Sequence, residues 1–242
     1  MKVEIWSDFV CPFCYIGKRR LEAALARFEH KEQVVIEYKS YELDPHADSA
    51  ANMRTHEMLA QKYGMSLEQA VAAGANVAGQ AASAGLQFRF DDQYVQNTYD
   101  AHRLSQYAAA QGLGSQMAER LFRAYFTDNN RIGDKQRLIE LATEVGLDAH
   151  QVEELLHSEQ FGDIVREQEQ EGSQLDIRGV PFFVIDRKYG ISGAQAESVF
   201  LETLQKAWAD KQPELIQVEG DDGAACADGQ CDIPGTDTNK SY

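Results

Sequence analysis

Apolar positions change their period along this chain. Val3-Glu-Ile-Trp-Ser7 reads as a strand. Cys14, Leu21, Leu25 and Phe28 then recur at steps of seven, four and three residues, which places them on one face of a helix ending near Phe28. In the next run Val34, Ile36 and Tyr38 alternate with Val35, Glu37 and Lys39, a period of two. Two strands joined by a helix of this length are expected to lie parallel, with a right-handed crossover. Leu43-Asp-Pro45 closes the unit.

Residues 46–175 read as wholly helical. Leu138, Leu141 and Val145, then Val152, Leu155 and Leu156, hold helical spacing, and Gly112, Gly146 and Asn129-Asn130 punctuate the run. Ser66-Leu-Glu-Gln69 has the pattern of a capping box, and Asp148-Ala-His-Gln151 is its Asp equivalent. The Ala- and Gly-rich stretch 70–85 lacks large apolar side chains and should allow close helix packing. Strand patterns return at Val180-Pro-Phe-Phe-Val-Ile185 and Tyr189-Gly-Ile-Ser-Gly193, with Asp186-Arg-Lys188 as a hairpin link. A closing helix runs from about Glu197 to Lys211. The order is βαβ, a long helical block, then ββα. That predicts an α/β, thioredoxin-like fold with a large all-helical insertion and an acidic C-terminal tail. The expected divisions are residues 1–45 and 176–212 for the two halves of the core, 46–175 for the insertion and 213–242 for the tail.

The chemistry sits at the first strand-to-helix turn, Cys11-Pro-Phe-Cys14. A Cys-x-x-Cys pair there reads as a thiol–disulfide redox site. Unsatisfied N–H groups at a helix start carry partial positive charge, which favours a thiolate on Cys11. Pro12 suits the first turn because it has no N–H to leave unpaired. Cys14 shares the inward face with Leu21 and Phe28 and is expected to be shielded. Cys11 lies in the turn, where a partner should reach it. This assigns Cys11 as the attacking nucleophile and Cys14 as the resolving thiol.

Size and charge narrow the alternatives. The chain has 242 residues and 43% apolar content, enough for a substantial core. No stretch approaches the roughly 20 apolar residues of a membrane span. The N-terminus enters a strand with no basic start and apolar segment, so a cytoplasmic location is expected. In a reducing compartment a Cys pair is more often catalytic or metal-binding than structural. The net charge is −16, and residues 213–242 contribute seven acids against one Lys. Such acidity argues against nucleic acid and anionic membranes as partners. Four cysteines match the count of a Cys₄ zinc site, but the second pair, Cys226-Ala-Asp-Gly-Gln-Cys231, lies on a polar tail, and no metal is expected. The six histidines show no metal spacing and read as surface groups. Arg178 reads as a solvated charge. The aromatic residues Tyr94, Tyr99, Tyr107, Phe122, Tyr125 and Phe126 read as core, with a few free to line a groove facing Cys11.

Ser7-Asp-Phe-Val-Cys-Pro-Phe-Cys-Tyr-Ile-Gly17, together with Gly179-Val-Pro-Phe-Phe-Val-Ile185 and Gly190-Ile-Ser-Gly-Ala-Gln195, resembles the DsbA superfamily, in particular its FrnE-like cytoplasmic branch. The likeness covers residues 1–212. It implies a protein thiol–disulfide oxidoreductase or isomerase that acts on protein or peptide thiols and disulfides. Such an enzyme is expected to need no dissociable cofactor and to be recycled by glutathione or a thioredoxin-like reductant. It also implies a cis peptide before Pro181, facing the Cys pair, with Val180 free to pair with a bound peptide as an added strand. Phe13 stands where strongly oxidising members have His. Phe gives the thiolate neither a hydrogen bond nor positive charge, so a less oxidising disulfide is implied, and Asp8 would push the same way if its carboxylate is near. Cys226 and Cys231 are candidates for a second redox pair, for a local disulfide around Asp228-Gly229, or for incidental thiols. Glutathione transferases of the kappa class and chromene-carboxylate isomerases share the fold, but they generally have Ser near the Cys11 position. A non-catalytic, chaperone-like peptide-binding module is the third alternative.

Overall fold

The computed structural model describes residues 1–211, 226–227 and 230–231. The chain divides into two compact units, Met1–Ala209 and Asp210–Tyr242. The first is built on a four-stranded sheet of β1 (Lys2–Ser7), β2 (Val35–Ser40), β3 (Phe182–Ile185) and β4 (Tyr189–Ser192), in the order β2-β1-β3-β4. β1 and β2 are parallel, as the intervening helix α1 (Pro12–Arg27) requires, with Lys2 opposite Val35 and Ser7 opposite Ser40. β3 returns antiparallel beside β1, pairing Val3 with Ile185 and Trp6 with Phe182. β4 follows through a tight hairpin whose Asp186 and Arg187 both have positive φ. β1 is flanked on both edges, and its residues after Lys2 are all buried.

Between β2 and β3 stand α2 (Thr55–Tyr63), α3 (Leu67–Ser83), α4 (Tyr99–Ala110), α5 (Gly114–Phe126), α6 (Lys135–Val145), α7 (Ala149–Leu156) and α8 (Gly162–Gln174). The caps form as the sequence predicts. Ser66 Oγ accepts from Gln69 N (3.1 Å) while Gln69 Oε1 accepts from Ser66 N (2.9 Å), and Asp148 Oδ1 accepts from Gln151 N (2.9 Å). The block is not helical throughout. Residues 86–97 run in irregular and extended conformation, and Tyr94 bridges antiparallel to Arg54. Gly85, at φ +75°, ends the turn after α3. Beyond it Arg89 N donates to Phe126 O (2.8 Å), while Thr55 N donates to Gln93 O (2.9 Å) and Val95 N to Met53 O (3.0 Å). Backbone pairing with neighbouring segments replaces the helical ladder there. α9 (Glu197–Ala209) closes the unit against α1. Among the described residues, no helix is long and apolar enough to cross a membrane.

A charged cluster ties α1 to α5. Lys18, whose side chain is almost fully buried, pairs with Glu22 and Glu119, and Arg19 pairs with the same two carboxylates. Burial pulls the Glu119 carboxyl up, but hydrogen bonds from Arg19 and Lys18 outweigh it and hold the group below the usual carboxylate range. A carboxyl depressed in the fold adds stability above its unfolded value of about 4.3 and loses it as pH falls through the folded value. Stability should therefore drop in acid below about pH 4, and Glu119→Gln should flatten that drop. Urea midpoints measured at several acidic pH values check this. An unchanged acid slope in the variant would assign the loss to other carboxyls.

In the second unit, β5 (Cys226–Ala227) and β6 (Gln230–Cys231) pair antiparallel, with Cys226 the register partner of Cys231. The expectations placed on the remainder of 213–242, and on the side chains of these two cysteines, lie outside the described residues.

Candidate active site

Cys11 is the N-cap of α1, with extended backbone (φ −88°, ψ 113°), and Pro12 is the first helical residue. The turn is closed by Cys11 N donating to Asp8 O (3.0 Å) and Cys14 N donating to Cys11 O (3.1 Å). No side-chain hydrogen bond caps this helix start, so its positive end is left to the Cys11 sulfur. Both cysteines are free thiols.

The Val180–Pro181 peptide is cis. It reaches the cysteines from the far end of the chain: Cys11 Sγ lies 3.5 Å from Val180 O, and the thiol donates to it. Gly17 lies under that approach. A Cβ at this position would sit 3.0 Å from the Phe183 ring and 3.2 Å from Pro181 Cγ, so a side chain here would need those two rings to give by a few tenths of an ångström.

The two cysteines differ less in exposure than the turn geometry suggests. Cys11 is 4% exposed and Cys14 2%. The expected access to Cys11 is therefore inward: Cys11, Pro12 and Phe13 line a cavity of about 360 Å³ against α2, α3 and the 86–97 stretch. Cys14 is not among the residues lining it. Phe13 is 39% exposed at the cavity's edge. Burial, and secondarily Cys11 itself, pushes the Cys14 thiol well up from its usual range; Ser7 and the Asp8 backbone pull weakly the other way. Cys14 thus keeps its proton at neutral pH until a partner removes it.

Asp8 lines the same cavity, fully buried. Its Oδ2 accepts from Leu43 N (2.8 Å), and its Oδ1 lies 3.4 Å from His102 Nε2 on α4. His102 packs on the Phe9 ring, with centroids 4.9 Å apart. Here the sequence reading needs correction: His102 and His56 are buried beside the Cys turn, not on the surface. His102 lies on a helix whose residues Ala101–Ala108 are all buried. His56 packs over Gly74, 18 residues on in the chain. Of the aromatic residues read as core, Tyr107, Phe122, Tyr125 and Phe126 are buried, while Tyr94 and Tyr99 are only half-buried. Tyr125 and Phe126 also line the cavity, and Arg178 is solvated and paired with Asp176.

The geometry suits exchange of one sulfur for another: a thiol at a positive helix end, a second buried thiol within one turn, and a backbone carbonyl that accepts from the first. Comparison with known proteins agrees. Residues 2–205 match the family model described as the DSBA-like thioredoxin domain. The crystal structure of a probable DsbA oxidoreductase from Streptomyces coelicolor is 42% identical, superposes with a TM-score of 0.84, and covers 97% of this chain and 100% of its own. The cytosolic disulfide reductase DsbM of Pseudomonas aeruginosa, solved with glutathione, is 17% identical with a TM-score of 0.59, covering 86% and 100%. A 2-hydroxychromene-2-carboxylate isomerase is 18% identical with a TM-score of 0.63, covering 87% and 95%. The last two show shared fold alone.

Proposed function

We propose a function from one premise: the chain belongs to the DSBA-like thioredoxin domain family. It is a protein thiol–disulfide oxidoreductase of the FrnE-like kind, working in the cytoplasm on protein or peptide thiols and disulfides. The observation that carries this reading is the Cys11 sulfur, held at the start of α1 and 3.5 Å from the Val180 carbonyl, with Cys14 buried behind it.

In the reducing direction the Cys11 thiolate attacks a client disulfide. One bond forms between Cys11 and a client sulfur, and the client's second sulfur leaves as thiolate and takes a proton. Cys14 then gives up its proton and attacks Cys11. The Cys11–Cys14 disulfide forms, the mixed disulfide breaks, and the client has gained two electrons and two protons. Glutathione or a thioredoxin-like dithiol returns the pair to the reduced state; with oxidised protein the same steps run backward. Val180, beside Pro181, offers its backbone carbonyl to the client's chain in the manner of an added strand. Pro12 and Phe13 set the environment of the pair, Phe13 without charge or hydrogen bond. Burial of Cys14 favours attack by Cys11 first, since the harder-to-ionise thiol is the poorer initial nucleophile.

Cys226 and Cys231 are assigned as a second redox-active pair. Register partners in an antiparallel ladder lie about 4.5–5.5 Å apart at Cα, inside the span a disulfide bridges. Their facing positions in β5 and β6 support the assignment.

Thiol trapping with mass spectrometry across a graded glutathione redox series tests the whole reading. A reversible two-electron couple at Cys11 and Cys14 is expected, in the range of about −270 to −120 mV that related dithiols span. A shifted potential in the Cys226→Ser/Cys231→Ser variant would support exchange with the tail pair, and an unshifted one would remove it. A stable glutathione adduct on Cys11 would favour the isomerase or transferase chemistry. No reversible change would leave a non-catalytic binding module.

A further inference from the structure

The resolving step asks for a charge inside the core. Cys14 must ionise to attack Cys11, yet it is 2% exposed and does not line the cavity beside Cys11. A charge in such surroundings is costly unless hydrogen-bond donors meet it.

The end of β1 supplies them. Side chains alternate along a strand. Val3 and Ile5 belong to the core cluster that holds Cys14, while Trp6 belongs to a separate cluster with Ile177 and Val184. Ser7, two residues after Ile5, is therefore turned toward α1. It is 3% exposed, and its Oγ is buried with no hydrogen-bond partner among the described residues. Its register partner on β2 shows the ordinary arrangement: Ser40 Oγ accepts from Gln106 Nε2 (3.1 Å). Buried polar side chains are paired in this way as a rule, and leaving one unpaired is destabilising. An unpaired hydroxyl on the Cys14 side of the strand calls for a role outside the reduced resting state.

The balance at Cys14 changes during the reaction. In the reduced pair, burial and Cys11 push the Cys14 thiol up, while the Ser7 hydroxyl and the Asp8 backbone pull it down. Once Cys11 is bonded to a client sulfur it carries no charge, and its push is gone. What remains is burial against Ser7 and Asp8. The Asp8 backbone is fixed by the turn in which Cys11 N donates to Asp8 O (3.0 Å). A hydroxyl rotates, so Ser7 can turn its proton onto the sulfur when the charge forms.

We propose, building on the disulfide-exchange reading, that Ser7 is a catalytic residue of the resolving step: its hydroxyl donates to the Cys14 sulfur as the thiolate forms, and holds the nucleophile that frees the client. Cys14 gives its proton to solvent base, and Ser7 keeps its own. The Cys14 sulfur then bonds to Cys11. The bond from Cys11 to the client breaks, and the client's sulfur leaves with that electron pair and takes up a proton. The first attack, made by Cys11 at the helix start, does not use Ser7.

The test uses the full pre-reduced chain carrying Cys226→Ser and Cys231→Ser, so that Cys11 and Cys14 alone report. Glutathione disulfide is the probe, at concentrations where adduct formation outruns resolution. Intact mass after acid quenching follows the dithiol, the glutathione adduct and the Cys11–Cys14 disulfide. Ser7→Ala should form the adduct within about twofold of the unsubstituted rate but resolve it about tenfold or more slower, the size of a lost hydrogen bond to a charged sulfur. The urea midpoint of the reduced variant should not fall, since the hydroxyl it loses is unpaired there. Ser7→Thr, which keeps the hydroxyl, should resolve faster than Ser7→Ala. Equal resolution in Ser7→Ala and the unsubstituted chain would overturn the role of Ser7 and leave the oxidoreductase standing. Both steps slowed alike, with a lowered midpoint, would make Ser7 a packing residue and overturn it too. Resolution as slow in a folded Ser7→Thr as in Ser7→Ala would assign the loss to the shape of the site and not to the hydroxyl. Absence of both adduct and disulfide in the unsubstituted chain would overturn the exchange reading itself.

Discussion

Cys11→Ser should bring disulfide turnover down to the rate of the buffer thiols, whereas Cys14→Ser should stop the reaction one step later, with the client still attached. The thiolate is the attacking species in exchange, and a serine hydroxyl does not replace it. Without Cys11 the thiol left at the helix start is Cys14, which is buried, does not line the cavity beside Cys11 and holds its proton. Without Cys14 the first attack still proceeds at the helix start, but nothing behind it breaks the mixed disulfide. With Cys226 and Cys231 both changed to Ser, intact-mass measurement after incubation with glutathione disulfide should therefore show one glutathione per Cys14→Ser chain, mapped to Cys11. The Cys11→Ser chain should show little or none on Cys14. Turnover by Cys11→Ser at a substantial fraction of the native rate would mean that Cys14 is reachable after all, and the division of roles would fail.

The elements on which that division rests were legible in the sequence because they depend on local structure. The strand, the turn and the helix face carrying Cys14, Leu21 and Phe28 are set within the first 28 residues. The partner loop was legible only through resemblance. Nothing in the period of residues 180–185 distinguishes a strand that begins at Val180 from the observed one, which begins at Phe182 behind a cis proline. Of the inward opening of Cys11, only a groove lined by a few of the insertion's aromatic residues was legible. The opening itself depends on where α2, α3 and the extended 86–97 stretch settle, and those segments are placed by distant pairings such as Thr55 with Gln93 and Arg89 with Phe126. The same packing buries His56 and His102. A lone histidine carries no periodic signature, so its burial becomes visible only with its neighbours in place. The non-helical stretch itself hides in composition: Gln87, Arg89, Asp91 and Gln93 alternate with Phe88 and Phe90, yet the polar partners of that backbone lie on α5 and beside α2.

The joint between insertion and core should also be where the fold is most easily weakened, and Phe122→Ala is the substitution that shows it. Phe122 on α5 is fully buried. Its ring stacks on Tyr15 of α1 (centroids 5.1 Å apart, planes at 9°) and tilts against Phe9 of the Cys turn (5.2 Å). Truncating a buried Phe to Ala costs about 3–5 kcal/mol, the lost transfer energy plus the cavity left behind. Against a total stability of about 5–15 kcal/mol that is a large share. The urea midpoint should fall accordingly, with the slope unchanged because the surface exposed on unfolding is nearly the same. Phe122→Leu keeps most of the volume and should cost less than the Ala change. The loss should reach function as well. Phe9 stands two residues before Cys11, and with its neighbour gone the turn that holds the sulfur against Val180 loses one wall. Glutathione-disulfide reduction by the folded fraction should slow in Phe122→Ala and recover in Phe122→Leu. A midpoint shift worth less than about 1 kcal/mol would instead mean that the site collapses around the missing ring, as loosely packed positions do, and that α5 is not what braces the Cys turn.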